Sequence, residues 1–317
     1  MAATRSRTGA SASAHPGPTA SSSRRPAVTP GRYRAHCACN RRREGCPVNE
    51  YLEANRKLWD SWVPIHVGSE FYDVEAFRRG GISLDRLELE AAGDVAGKSL
   101  LHLQCHFGKD TISFARLGAS ATGADFSPAA ISQARRLAGE TGVPARFVES
   151  EVTALPDHLD GRFDVVFTSN GVIGWLPDLR PWGRVIAHFL ASGGRFAIVE
   201  GHPVMFAFDD DDDDVNRTPR PQHRYFATGE PLTFAYRGTY ADFDADVDSV
   251  EHGWPHSMAD VLSALLDAGL RIESFAEHPV LAWKAFRCME RDDEGFWRLP
   301  PGVGEIPLSF SLVACKP

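Results

Sequence analysis

Two rhythms of apolar residues alternate along most of the chain. Short, nearly continuous apolar runs are the mark of strands buried on both faces of a parallel sheet. They occur around Leu100–Leu103, Ser120–Ala124, Ala145–Val148, Phe163–Thr168, Arg195–Glu200, Leu270–Phe275 and Ile306–Ala314. Between them, apolar residues recur at helical spacing: Thr111, Ile112, Phe114, Ala115 and Leu117; then Ile131, Ala134, Leu137 and Ala138; then Gly183 to Leu190; then Met258, Val261, Leu262, Leu265 and Leu266. Ser127 and Pro128 read as the cap and first turn of the second of these helices, Ser192–Gly194 as a turn, and Gly269 as the stop of the last. Strand–helix alternation of this kind predicts an α/β class fold: a doubly wound seven-stranded sheet, mostly parallel, with an antiparallel last strand.

The flanks follow different patterns. In NEYLEANRKLWDSWV, Tyr51, Leu52, Leu58, Trp59, Trp62 and Val63 fall on one helical face, with Asn49 as the expected N-cap and Pro64 as the expected stop. A polar and aromatic loop, IHVGSEFYDVEAF, follows, so residues 49–96 read as an N-terminal helical lid before the main domain, 97–317. Within that domain the rhythm stops at 201–255. An insertion is predicted there, with a β-hairpin formed by PLTFAYR and GTYADF. The run Asp209–Asp214 reads as a self-repelling solvated loop and not as a metal site.

Composition narrows the function. The 317 residues carry a net charge of −8. Residues 1–48 hold nine Arg against one Glu, so +8 there leaves −16 on the remainder. An acidic body argues against nucleic acid as the partner. The first 48 residues are rich in Arg, Ser and Pro and are expected to be disordered; their composition also fits an over-extended gene start, with translation beginning near Val48. No apolar run has the length of a membrane span or the form of a secretory signal, so a cytoplasmic protein is expected. Six cysteines form no disulfide framework in a chain of this size, and His36, Cys37, Cys39 and Cys46 match no familiar zinc spacing. No metal is expected.

In an open parallel sheet, ligands bind beyond the carboxyl ends of the strands. Polar residues cluster at four such ends: Gln104 to Gly108, Asp125, Glu149 to Glu151, and Ser169-Asn170. Asp125 is placed to accept the hydroxyls of a ribose. Glu151 can accept from an adenine amino group, with the Val152 N–H serving a ring nitrogen. Trp59, Tyr72, Trp175 and Trp254 can line a small-molecule pocket. His66, Tyr72, Glu200 and His202 are the candidate general bases.

These residues carry a resemblance. The stretch HLQCHFGKDT, then TGADFS, then an acid four residues before Leu155-Pro156, then FDVVFTS and a Gly-Gly turn, resembles the class I S-adenosylmethionine-dependent methyltransferases, in particular a bacterial small-molecule subgroup with a divergent first motif. The resemblance implies a Rossmann-like domain, S-adenosyl-L-methionine as cofactor and a small-molecule O or N nucleophile as methyl acceptor, in a monomer or homodimer. By position it implies cofactor-binding roles for His102, Gln104, Cys105, Gly108, Asp125, Phe126, Glu151, Val152, Ser169 and Asn170, with His66, Tyr72 and His202 as catalytic candidates. His102 replaces the family's usual acid, and Gln104 and His106 replace its first two glycines. Two other readings stay open: a non-catalytic protein that has kept the fold, and an NAD(P)-dependent oxidoreductase. The second would need the glycine-rich turn that Gln104 and His106 interrupt.

Overall fold

The computed structural model describes residues 48–209 and 220–317. The N-terminal tail with Cys37, Cys39 and Cys46, and Asp210–Asp214 of the aspartate run, lie outside the described residues.

One seven-stranded sheet organises the molecule. Its strands are β1 (Ser99–Leu103), β2 (Ser120–Asp125), β3 (Arg146–Glu149), β4 (Phe163–Ser169), β5 (Leu190–Gly201), β10 (Arg271–His278) and β13 (Ser309–Cys315). They lie in the order β10-β13-β5-β4-β1-β2-β3. All neighbours are parallel except β13, which runs antiparallel to both β5 and β10. The chain builds outward from β1 through β2 to β3, then returns to lay β4 on the other side of β1. That reversal opens the crevice beyond the carboxyl ends of β1 and β4.

Period-two alternation explains why the strands read as continuous apolar runs. Leu101, Leu103, Val166, Phe196, Ile198 and Leu312 pack on one face beneath α6 (Leu179–Phe189) and α7 (Met258–Asp267). Leu100, Val165, Phe167, Ala197, Val199 and Val313 pack on the other, against α3 (Arg86–Ala92) and α4 (Lys109–Arg116). Helices α6 and α7 touch through backbone: a Cβ at Gly183 would lie 2.2 Å from the Ala264 carbonyl oxygen. Helix α5 (Pro128–Thr141) starts as predicted, with the Ser127 hydroxyl accepting from the Ala130 N–H at 3.0 Å.

Several expectations need correction. Helix α1 (Val48–Gly68) begins before Asn49 and runs through Pro64. Proline removes one N–H, but the last turn is held by the Ser69 hydroxyl donating to the His66 carbonyl at 2.8 Å. The following loop is partly helical: Asp73 caps the short α2 (Val74–Arg78). Ser192–Gly194 is not a free turn but an irregularity inside β5, where the register with β4 shifts between Phe163 and Val165. In the insertion, β8 (Leu232–Arg237) pairs with β9 (Asp248–Gly253), and not with GTYADF. Gly238 at φ 86° turns the chain, and the Thr239 hydroxyl accepts from the N–H groups of Ala241 and Asp242, so that segment forms the hairpin's loop. Two short ladders complete the fold: β6 (Phe208–Asp209) with β7 (Arg220–Pro221), and β11 (Glu290–Arg291) with β12 (Trp297–Arg298). The last strand begins at Ser309, three residues later than its apolar pattern suggests.

Helix α1 is anchored at two points. The Ser127 hydroxyl donates to Asp60 at 2.6 Å, which ties α1 to the start of α5. Asn55 exchanges two hydrogen bonds with the His252 backbone, at 2.8 and 3.0 Å, which ties α1 to the hairpin. Together α1 and the hairpin stand over the strand ends.

Candidate functional site

A cavity of about 1200 Å³ lies at the carboxyl ends of the strands. Its floor is the sheet. The chain leaves β1 through Gln104–Gly108, where Gln104 (φ 55°) and His106 (φ 50°) take the left-handed backbone that glycine adopts without cost. The same conformation recurs at Asn170 (φ 47°) and Asp73 (φ 36°). These four are the non-glycine residues with positive φ among the described residues, and all four line this cavity. Left-handed backbone costs such residues about 1–2 kcal/mol each, and strain of this kind gathers at functional sites.

The turn is held by Asp125. One carboxylate oxygen accepts the His106 N–H at 2.8 Å, the other the Ser127 N–H at 2.9 Å. Burial lifts this carboxyl to about 6, against the lowering effect of those two bonds. Gly108 also serves packing: a Cβ there would sit 2.6 Å from the Phe147 ring. Cys105 is buried, and burial raises its thiol well above the ordinary range, so it is an inert wall of the turn. Phe126 and Val152 line the same stretch of floor. Glu151 caps the turn Val152–Asp157, its Oε2 accepting from Thr153 and Ala154 at 2.9 and 3.1 Å.

On the other side of β1, Gln104 donates to the Val172 carbonyl at 3.1 Å, while its buried Oε1 has no partner among the described residues. His102 is buried against the Thr111 hydroxyl at 3.0 Å, and desolvation lowers it to about 4, so it is neutral. Asn170 donates to Glu88 at 3.1 Å. Glu88 is a residue that sequence reasoning missed. It lines the cavity from α3, closes the Asp85 capping box and faces Asp85 and Asp110; burial and those like charges raise its carboxyl well above the usual range. Nothing in the LELE pattern distinguishes it from a solvated helix acid.

The candidate bases separate. Tyr72 lines the cavity, its hydroxyl bound to that of Tyr240, and burial raises it well above the ordinary phenol range. His66 lies behind the wall, fully buried, with Nδ1 3.0 Å from His106 Nε2; burial lowers it to about 3. Glu200 lines the cavity, but its carboxylate accepts the N–H groups of Gly171, Val172, Ile173 and Gly201, so it shapes the loop after β4. His202 is outside the lining: its Nδ1 accepts from Val204 and its Nε2 meets Glu277 at 3.0 Å. His66 is thus sealed from the cavity and His202 stands outside its lining.

The upper walls come from α1 and the insertion. Trp59, Trp175 and Trp254 line the cavity with Tyr72, as expected, joined by Tyr240 and Tyr236. Trp59 meets Trp175 edge-on with ring centroids 5.2 Å apart.

Comparison with known proteins bears on this arrangement. A family model described as a methyltransferase domain matches residues 101–196. A solved S-adenosylmethionine-dependent methyltransferase from Mesorhizobium loti superposes with a TM-score of 0.51 at 19% identity, covering 75% of this chain and 100% of the other. The chain has the class I S-adenosylmethionine-dependent methyltransferase fold. Curated methyltransferases resemble it over shorter stretches. A demethylmenaquinone methyltransferase from Thermus thermophilus is 37% identical over 86 residues, 27% of this chain and 38% of its own length. A ubiquinone biosynthesis O-methyltransferase from Erwinia tasmaniensis is 32% identical over 134 residues, 41% of this chain and 54% of its own. The chain thus spans about half or less of these relatives. In this methyltransferase fold, the matched segment holds the end of β1, all of β2 to β4 and the first part of β5, and with them the floor residues from His102 to Asn170.

Proposed function

We propose that this chain is a methyltransferase that uses S-adenosyl-L-methionine to methylate a small molecule in the cytoplasm. The observation that carries the reading is the floor of the cavity. A strained turn clamped by Asp125 lies beside Glu151 at neighbouring strand ends, within a segment that matches a methyltransferase domain. Among the described residues no helix is long and apolar enough to cross a membrane.

The residues present fit the cofactor. Among the described residues, Gln104 Oε1 is a buried acceptor without a donor and Glu88 a buried carboxyl group without an ion-pair partner; both suit the methionine ammonium end. Asp125 suits a ribose diol, Glu151 and the Val152 N–H an adenine edge, and Ser169-Asn170 the methionine side of the turn. The departures from glycine at 104 and 106 do not alter the backbone path, since both residues adopt the glycine-like conformation. The bound cofactor supplies an activated methyl on a sulfonium. The chain's own work is to hold the acceptor in line and exclude water, which α1 and the hairpin do from above. In this reading the part of residues 49–96 that serves as a lid is α1, while α3 packs on the sheet face.

Calorimetric titration of the full chain with S-adenosylmethionine tests the reading, with NADH as control. Binding that Asp125→Ala weakens at least tenfold, with no response to NADH, is expected. Absence of S-adenosylmethionine binding would reject the assignment.

A further inference from the structure

The cofactor reading does not say what kind of molecule the upper half of the cavity takes. Alternate residues of the hairpin point into it: Leu232, Phe234 and Tyr236 from β8, Glu251 and Gly253 from β9. Ser249, on the same face of β9, accepts from Trp62 Nε1 at 3.0 Å, which fixes the hairpin against α1. Around this roof stand Trp59, Trp175, Tyr240 and Trp254.

One carboxylate sits in this aromatic wall. Glu251 has a single partner among the described residues, the Tyr236 hydroxyl, at 2.7 Å on Oε2. No Lys, Arg or His among them forms an ion pair with it; Arg224, on the same lining, donates instead to the Glu230 carbonyl. Burial, opposed only by that one hydroxyl, lifts the Glu251 carboxyl to about 7. A desolvated carboxylate with so little compensation is unfavourable in the free protein and is relieved by a cation. Aromatic walls favour the same kind of ligand, since ring quadrupoles attract ammonium groups. The acidic body, −16 beyond the first 48 residues, attracts cations too.

The structure assigns this chamber to a small molecule bearing a protonated amine, with Glu251 as its counter-ion and the rings of Trp59, Trp175 and Tyr240 about it. That the amine compound is the methyl acceptor rests on the methyltransferase reading; that it binds here does not. A neutral phenol or alcohol can donate one hydrogen bond to Glu251 but leaves its charge unpaired, and an anion is repelled.

Matched probes separate these ligands. The full chain, with S-adenosylhomocysteine absent and then present, is titrated with phenethylamine, 2-phenylethanol and phenylacetate, followed by tryptophan fluorescence and calorimetry. Phenethylamine is expected to bind at least tenfold more tightly than 2-phenylethanol, with phenylacetate weakest. Glu251→Gln, which keeps an acceptor for Tyr236, is expected to reduce the amine preference to within about twofold. Equal binding of amine and alcohol, a preference that survives Glu251→Gln, or no binding of the amine would overturn the assignment. The S-adenosylhomocysteine titration of the same samples reads the cofactor assignment separately: its loss in the unaltered chain would sink the methyltransferase reading and leave the amine result standing.

Discussion

The floor and the roof of the cavity each hold a glutamate, the first buried and the second half-buried, and the two are built in opposite ways. Glu200, on the floor, accepts four backbone N–H groups and fixes the loop after β4. Glu251, in the roof, is met by one tyrosine hydroxyl. A carboxylate saturated by backbone belongs to the scaffold; one left short of donors is poised for a ligand. The same contrast separates the halves as wholes. The floor is made of strand ends whose places the sheet dictates, and the roof of side chains brought together from α1 and an insertion far along the sequence.

The largest expected effect tests the scaffold side. Glu200→Ala strips the acceptor from four N–H groups, each costing about 1–3 kcal/mol when unsatisfied and buried. A loss of about 4 kcal/mol in denaturant unfolding is expected, and a loss below about 1 kcal/mol would break the comparison. Glu251→Gln should act in the opposite direction. The folded-state carboxyl is raised from 4.5 to about 7, so stability present below about 4.5 is lost as pH rises through about 7. Since one pKa unit is worth about 1.4 kcal/mol and the side chain keeps some exposure, the variant should be about 2 kcal/mol more stable than the natural chain at pH 8. Unfolding curves at pH 5 and pH 8 check this; a destabilised variant at pH 8 would contradict it. A smaller effect concerns the cofactor. Ionised Asp125 is the stronger acceptor for hydroxyl donors, since protonation turns one of its oxygens into a donor, and its carboxyl stands at about 6. S-adenosylmethionine affinity should fall about tenfold from pH 7 to pH 5, as seen by calorimetry, and an affinity unchanged over that range would remove Asp125 from the contact. The smallest effect is Tyr236→Phe, which deletes one hydrogen bond to Glu251 and should cost about 0.5–1.5 kcal/mol.

The floor was legible in the sequence because burial on both faces writes each strand as an apolar run, and the polar residues that interrupt those runs mark the strand ends. Gln104 to Gly108, Asp125, Glu151 and Ser169-Asn170 all line the cavity for that reason. The roof was not legible. PLTFAYR reads as a strand, but GTYADF has more β character than the observed partner DSVEHG; turn bonds at Thr239 decide the pairing instead. Glu251 was therefore never set facing the site, and Tyr240 was hidden in a segment read as a strand. Pro64 reads as a stop in sequence, yet the turn after it is held by Ser69. His66 and His202 illustrate the remaining gap: both are near the site in sequence order, yet one is sealed behind the wall and the other binds Glu277.

Hydrogen–deuterium exchange with and without S-adenosylhomocysteine tests the division of the cavity most directly. The account predicts added protection at residues 104–108, 125–127, 151–154 and 169–173, with smaller changes in the hairpin strands 232–237 and 248–253. Protection confined to the hairpin, or none at the strand ends, would contradict it.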